Sequence, residues 1–422
     1  MRFFSKESAQ NLLTKKSDWP TLAVGLSLFQ AIAITFLESF LIYKVAYHLD
    51  QAFSQSTSGY APFVVIYLSL FIFALWFQVY GALDAFYHRN SIQVIAVTLF
   101  NAVTVIYSIS QIVQLSNLRF CLVTYLDIFH QNHTTSDAYQ QVYSLEQDTT
   151  KTCRFSSVKM VNGTFSPSYV AISSVYPPEV IALNLGVVLG AFETAVFIGY
   201  GIIVVMVLCS LVGLFLSFKT FGVYGWSIYQ IQGADIEKRE ILKRYYIFAT
   251  TMKFNVFFFL GIIAQIGFAA YFKNKVATVN ALDDDGRLHA TLERNRLQLW
   301  GYGAITLFTS LFYFVLGYLG MRRTNFLMMC AFLVMMVVYI AAVFYFLIQA
   351  NNDPDLSITR IWLTVFAAFQ ILLNLITLYS AIASMRDFSK GLKDIVQSVI
   401  VIKSSTDAKQ MESTDHSRMI LD

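Results

Sequence analysis

Charge is scarce in this 422-residue chain. Asp, Glu, Lys and Arg make up 13% of it, against 56% hydrophobic and 16% aromatic residues, whereas soluble domains carry roughly 25% charge. So little charge excludes a soluble fold and makes lipid the natural solvent. Proline is rare as well: Pro20, Pro62, Pro167, Pro177, Pro178 and Pro354 are the six, and none interrupts a long apolar run, so no helix hydrogen bonds need be lost to them. Four cysteines and six histidines are too few for a disulfide scaffold or a Cys/His zinc cluster. No histidine lies inside an apolar run, and G-x-S-x-G, H-E-x-x-H and G-x-x-x-x-G-K-[ST] are all absent. The chain is therefore expected to be no enzyme and to need no cofactor or metal. The first nineteen residues are polar and lack the parts of a cleaved signal peptide, so the first span is expected to act as its own insertion signal.

What the sequence does have is long uncharged runs, at 22 to 43, 62 to 83, 92 to 115, 190 to 218, 254 to 272, 299 to 319, 326 to 349 and 361 to 383. Each matches the ~20 residues a helix needs to cross ~30 Å of hydrocarbon. None alternates in the ~10-residue manner of a transmembrane barrel strand. The expected fold is all-α: a polytopic transmembrane helix bundle of about eight spans, with a small lumenal cap between spans 3 and 4. A nine-span alternative would split 180 to 218 at Gly199-Tyr200-Gly201 and place six basic residues in the lumen, so it is rejected.

Orientation follows from basic residues. With a cytosolic N-terminus, cytosolic segments hold 19 Lys and Arg and the opposite side 11, the sign the positive-inside rule requires. The net charge of +4 is thus a topology signal, with lipid and not nucleic acid as the partner. The resulting layout is a cytosolic segment 1–21, spans 1–3 in 22–115, a lumenal loop 116–179, and spans 4–5 in 180–272 with a cytosolic helical hairpin at 219–253. A lumenal loop 273–298, spans 6–8 in 299–383 and a cytosolic tail 384–422 follow.

The 116–179 loop gathers independent signals. It holds both N-x-[ST] acceptors, Asn132 and Asn162, and two of the cysteines, Cys121 and Cys153, as an oxidising, glycosylating compartment would favour. Glycans on the two asparagines and a Cys121–Cys153 bridge are expected. Arg119 to Tyr125 and Tyr169 to Tyr176 read as short strands of this cap. Asp127, His130 and His133 have a metal-like spacing, but the sequon between the histidines argues against a site.

Glu38 and Glu193 are the charged residues well inside apolar runs, and each must find protein or water. Ser27, Gln30 and Thr35 lie toward the face of Glu38. Asn101, Thr104, Ser108 and Gln111 share one face of span 3, and Gln370, Asn374, Thr377 and Ser384 share one face of span 8, at ~100° per residue. Both stripes should point inward. No internal repeat is visible.

The most distinctive stretch is Lys219 to Gly261. It reads as two helices hinged at Gly233-Ala234, with Asp235 as the N-cap of the second and Glu240 pairing with Arg244 at i, i+4. The residues Gly225-Trp226-Ser227-Ile228-Tyr229, Gly233-Ala234-Asp235, Tyr246-Ile247-Phe248, Lys253-Phe254-Asn255 and Phe257-Phe258-Phe259-Leu260-Gly261 resemble an uncharacterised fungal family of multi-pass Golgi apparatus membrane proteins. The resemblance implies a Golgi location, a helical fold and an aspartate where this chain has Asn255; it implies no activity. The expected function is therefore a non-catalytic component of membrane organisation or trafficking, holding membrane or cytosolic proteins through residues 219–253 and the tail. The alternative is a transporter or lipid-handling protein with a polar intramembrane site.

Overall fold

A computed structural model of the chain describes residues 18–53, 60–131, 160–161, 164–165, 178–232, 235–280, 286–352 and 360–392. Among them are eight long helices: α1 (Trp19–Phe53), α2 (Tyr60–His88), α3 (Ser91–Gln131), α4 (Pro178–Gln232), α5 (Ile236–Asn280), α6 (Gly286–Arg323), α7 (Phe326–Asn352) and α8 (Arg360–Arg386). A short 3-10 turn, Phe388–Lys390, follows α8. Seven of the helices contain a stretch long and apolar enough to cross a membrane. The remaining one, α6, carries the 299–319 run. The protein is a membrane-embedded helical bundle.

The helices form two sets of four with the same neighbours. In the first, α1 packs on α2 and α4, and α3 packs on α2 and α4; in the second, α5 packs on α6 and α8, and α7 packs on α6 and α8. The tight turns repeat too. Between α2 and α3, Arg89 takes a φ of 47° and Asn90 caps the next helix, its Oδ1 accepting from the N–H of Ile92 at 3.1 Å and of Gln93 at 3.4 Å. Between α6 and α7, Thr324 takes a φ of 49° and Asn325 accepts likewise from Leu327 at 3.0 Å and Met328 at 3.4 Å. An asparagine satisfies N–H groups that the first turn leaves orphaned, so each hairpin reverses within a few residues.

Each half has its own apolar core. Ile34, Leu41, Phe71, Phe192 and Met206 belong to the first, and Phe259, Tyr313, Phe332, Met336 and Tyr339 to the second. A third cluster joins the halves and consists mainly of phenylalanine: Phe77 and Phe100 from the first half meet Phe254, Phe257 and Phe258 of α5, with Phe366 and Phe369 of α8 behind them. Ring centroids lie 4.8 Å apart for Phe77–Phe257 and 5.0 Å for Phe100–Phe257, the range in which tilted aromatic pairs attract.

The 225–261 stretch now has a structural meaning. Successive residues of a helix point ~100° apart, so Lys253, Phe254 and Asn255 reach three different places: an ion pair with the first half, the phenylalanine seam, and the polar interior of the second half. Gly261 closes the series. A Cβ there would stand 2.9 Å from the Phe366 ring, so Gly261→Ala is expected to overpack the seam by about 1–3 kcal/mol, read as a lowered unfolding midpoint in detergent. Gly267, with open space around it, is the control: its alanine variant should be neutral.

Several sequence expectations are corrected here. Arg119 to Tyr125 is not a strand; it continues α3, which ends at Gln131. Its apolar run reads equally as strand or helix, and extending an existing helix needs no new nucleus. Cys121 accordingly lies on α3. The strand content found in the loop is a two-residue antiparallel ladder, Met160↔Phe165 and Val161↔Thr164. Cys153, Asn132, Asn162, His133 and Tyr169 to Tyr176 fall outside the described residues. Helix α4 runs unbroken through Gly199-Tyr200-Gly201, as the eight-span reading requires.

Candidate functional site

A polar file runs through the first half. At the end of the bundle where α1 and α3 begin and α2 finishes it includes a cavity of about 50 Å³, with Pro20, Phe86, Val94 and Tyr224 among its lining. Ser27, Gln30, Gln78, Asn101, Ser217 and Thr220 are among the residues that line it, and among the described residues no Asp, Glu, Lys, Arg or His does. At its floor three carboxamides meet. Gln30 Nε2 donates to Asn101 Oδ1 at 3.0 Å, and Gln78 Nε2 reaches Gln30 Oε1 at 3.5 Å. Gln78 Oε1 and Thr220 Oγ1 are buried with no hydrogen-bond partner.

Below the floor, the α3 stripe continues the file. Asn101, Thr104, Ser108 and Gln111 are all buried, so the inward orientation expected from their spacing holds. The Thr104 and Ser108 hydroxyls donate to carbonyls of their own helix, of Asn101 and Val105, both at 2.7 Å. At the stripe's far end stands Glu38, 0% exposed. Gln111 Nε2 donates to both its oxygens, at 2.9 and 3.1 Å. Glu38 lies eight residues beyond Gln30, or ~12 Å along α1. The two other residues expected near Glu38 act locally: Ser27 Oγ donates to the Ala23 carbonyl at 3.0 Å, and Thr35 Oγ1 accepts from Trp76 Nε1 at 3.1 Å.

Glu193 does not join Glu38. Its side chain is 53% exposed and accepts from Arg119 Nη2 at 2.8 Å. Its neighbours Phe192 and Ala195 face the core of the first half, and a position one residue from a core residue is turned ~100° away from it.

The second half has a polar interior that the α8 stripe announced only in part. Gln370, Asn374, Thr377 and Ser384 are buried as expected. Two of them share a partner on α5, Asn255, whose Nδ2 donates to Thr377 Oγ1 at 2.8 Å and whose Oδ1 accepts from Gln370 Nε2 at 3.4 Å. A lone asparagine in the apolar run of α5 shows no periodic pattern. The signal that pointed to it was the resemblance, which places an aspartate there.

Two groups of charges tie the same end of the molecule together. Lys253 Nζ contacts Asp84 Oδ2 across the seam and donates to Gln93 Oε1 at 3.3 Å. Gln93 in turn donates to Asp84 Oδ2 at 2.5 Å and to the Gly81 carbonyl at 2.9 Å. Farther along α5, Arg244 holds Asp387 through two hydrogen bonds of 2.7 and 3.0 Å and Glu240 at 3.3 Å, while Lys390 Nζ meets Glu237 at 2.7 Å. The segment leaving α8 is thus fastened to the start of α5. Glu240–Arg244 forms as expected, but Asp387, far away in sequence, is the closer partner.

Asp235 caps α5 as expected, accepting from the N–H of Glu237 at 3.1 Å and of Lys238 at 3.2 Å. These bonds, the Lys238 amide first, hold its carboxyl below the usual range. A lowered pKa means the cap is intact above the ordinary carboxylate range and is lost as pH falls through the lowered value. The protection of the Glu237 and Lys238 amides, measured relative to the intrinsic exchange rate at each pH, is therefore expected to fall on acidification, and Asp235→Ala should show the lower protection already at neutral pH. Gly225 and Trp226 lie in α4 before this cap; the Trp226 side chain is exposed. Tyr229 belongs to the same helix, and Gly233 and Ala234 lie outside the described residues.

Compared with known proteins, the chain matches no family model. No solved structure matches it either. Among curated proteins, it is similar to a UPF0658 Golgi apparatus membrane protein of Schizosaccharomyces pombe, 23% identical over 332 residues that cover 78% of this chain and 77% of the relative. The alignment covers most of both proteins and agrees with the resemblance read from the α4–α5 stretch: this chain is similar to an uncharacterised kind of multi-pass Golgi membrane protein.

Proposed function

We propose that this protein resides in the Golgi membrane with both termini in the cytosol, and that its first four helices handle a proton or small polar solute with Glu38 as the protonatable site. The location rests on the name of the S. pombe relative, and the orientation on 19 basic residues against 11. One observation carries the activity: Glu38 is wholly buried within a span and has a neutral amide, not a cation, as its hydrogen-bond partner. An ionised carboxylate in hydrocarbon costs at least ~2.5 kcal/mol, so whether Glu38 keeps its proton depends on the water or charge that reaches it. The reading is non-catalytic. It replaces membrane organisation as the first choice because buried polar residues of α3 continue from the cleft to the carboxyl.

The test is proton flux into vesicles containing the purified protein, followed with an entrapped pH dye under an imposed potential. Wild type should exceed empty vesicles, and Glu38→Gln should lower the rate by tenfold or more. Equal flux through both proteins would defeat the proposal. Organisation of partners is the second reading, favoured by the Arg244–Asp387 and Lys390–Glu237 ties, which hold a charged segment ready outside the span. Partner recovery by proximity labelling that falls on Arg244→Ala, with flux unchanged, would select it.

The proposed orientation puts 132–177 in the lumen. A glycosidase-sensitive gel shift, abolished by Asn132→Gln together with Asn162→Gln, is expected, as is a thiol probe that reaches Cys121 and Cys153 only after reduction. Cleavage of this loop by protease added outside intact vesicles would invert the topology.

A further inference from the structure

We propose that the cleft above Glu38 is a binding site for the hydroxyl groups of a neutral molecule, either a free polyol or the glycerol end of an uncharged lipid. This rests on the reading of the first half as a solute-handling bundle and names the class of its ligand. Three observations carry it. The polar groups in the cleft's wall are carboxamides and hydroxyls, with no ionic side chain among the described residues, so nothing described there offsets the desolvation of a charged ligand. Carboxamides present donor and acceptor on one rigid group, which suits a hydroxyl, itself both.

The second observation is the unspent hydrogen-bonding capacity. Gln78 is 3% exposed, lines the cavity, and has an oxygen without a partner; Thr220, also 3% exposed, lines it with a hydroxyl in the same condition. A buried polar atom left unpaired is destabilising, and two facing one cavity from α2 and α4 define where a ligand would be held. Turning the Gln78 amide end for end changes which atom is unpaired, not the fact.

The third is size and access. About 50 Å³ exceeds the ~10–15 Å³ a cavity needs to hold one water and leaves room for a hydroxymethyl group, while Pro20 and Phe86 in its lining lie near the ends of their helices. Gly213 lies on the wall with the nearest atoms, from Leu26 and Asn101, 3.7 and 3.8 Å from where its Cβ would be. A larger side chain at 213 would therefore project into the cleft without a backbone clash.

The experiment uses full-length protein in phosphatidylcholine nanodiscs, with glycerol as probe and saturation-transfer NMR as readout, a method suited to weak binding. Wild type should show saturable transfer to glycerol. Gln78→Leu, which removes an acceptor, should weaken binding about tenfold, and Gly213→Leu should abolish it by filling the space. If diacylglycerol added to the disc competes the signal away, the lipid hydroxyl is the source; without competition, the free polyol is. Absence of saturable transfer in wild type, or equal transfer in wild type and both variants, overturns the proposal. Glu38→Gln keeps the distinction clear: it should retain glycerol transfer while losing proton flux, so either inference can fail alone.

Discussion

Gln111→Leu is expected to destabilise the protein by about 2–3 kcal/mol, whereas Glu38→Gln should change stability by less than about 1 kcal/mol. The asymmetry comes from what each substitution leaves behind. Gln111 supplies the hydrogen bonds to both oxygens of Glu38, so its loss strands a carboxyl that is wholly buried. The reverse change keeps an amide where the carboxyl was, close to it in shape, and two amides can still exchange a hydrogen bond. Replacing both residues by leucine should recover most of the loss, since an apolar pair leaves nothing unsatisfied. Unfolding midpoints of wild type, Gln111→Leu, Glu38→Leu and the double leucine variant in one detergent give the double-mutant cycle. A Gln111→Leu protein as stable as wild type would show that water already solvates Glu38, and the isolated-carboxyl picture would fall. Stability and flux should also part company: Glu38→Gln is the variant that stays folded and loses proton movement.

That split shows where sequence reasoning succeeded and where it stopped. The stripes on α3 and α8 were legible because four polar residues at helical spacing in an apolar run identify a face before any partner is known. Glu38 could be marked as costly for the same reason. Its partner could not be chosen among several candidates, since pairing Glu38 with Gln111 depends on the depth at which α1 and α3 lie side by side. The partner of Glu193, Arg119, could not be read from the sequence, because hydropathy reports how far along a span a residue lies, not which way it faces. Arg119 had been assigned to the loop, where its charge counted only toward topology.

The larger miss is architectural. No repeat is visible in the residues, yet the helices divide into two sets of four with the same neighbours and the same Asn-capped turn between the second and third members. Apolar packing tolerates almost any exchange of Leu, Ile, Val and Phe that keeps volume and pattern, so similar bundles need share no sequence. Residues that touch both halves have less freedom. Lys253, Phe254, Phe257, Phe258 and Gly261 all serve the joint, and they lie within the stretch that carries the family resemblance. The resemblance was legible in the sequence, but that several of its residues join two bundles was not.

Breaking that joint is the second large effect expected. Lys253→Met removes the cation that meets Asp84 across the seam, where the carboxylate is 13% and the lysine 32% exposed. Partial exposure keeps the penalty below that of a deep ion pair, and about 1–3 kcal/mol is the expected loss. Asp84→Asn alone should cost less, because the lysine can extend its amine toward the headgroups and Gln93 Oε1 remains as a partner. The double variant should lie nearer wild type than Lys253→Met does, since the amide introduced by Asp84→Asn can still accept from Gln93, whose Nε2 also holds the Gly81 carbonyl. Arg244→Met is the comparison within one half. It frees Asp387 and the segment after α8 but crosses no seam, so the two halves should stay together. Limited proteolysis between α4 and α5, followed by gel filtration in mild detergent, separates these cases: the nicked halves should dissociate more readily in Lys253→Met than in wild type or Arg244→Met. Equal retention in all three would mean that the phenylalanines alone join the bundles and that the ion pair only marks the membrane edge.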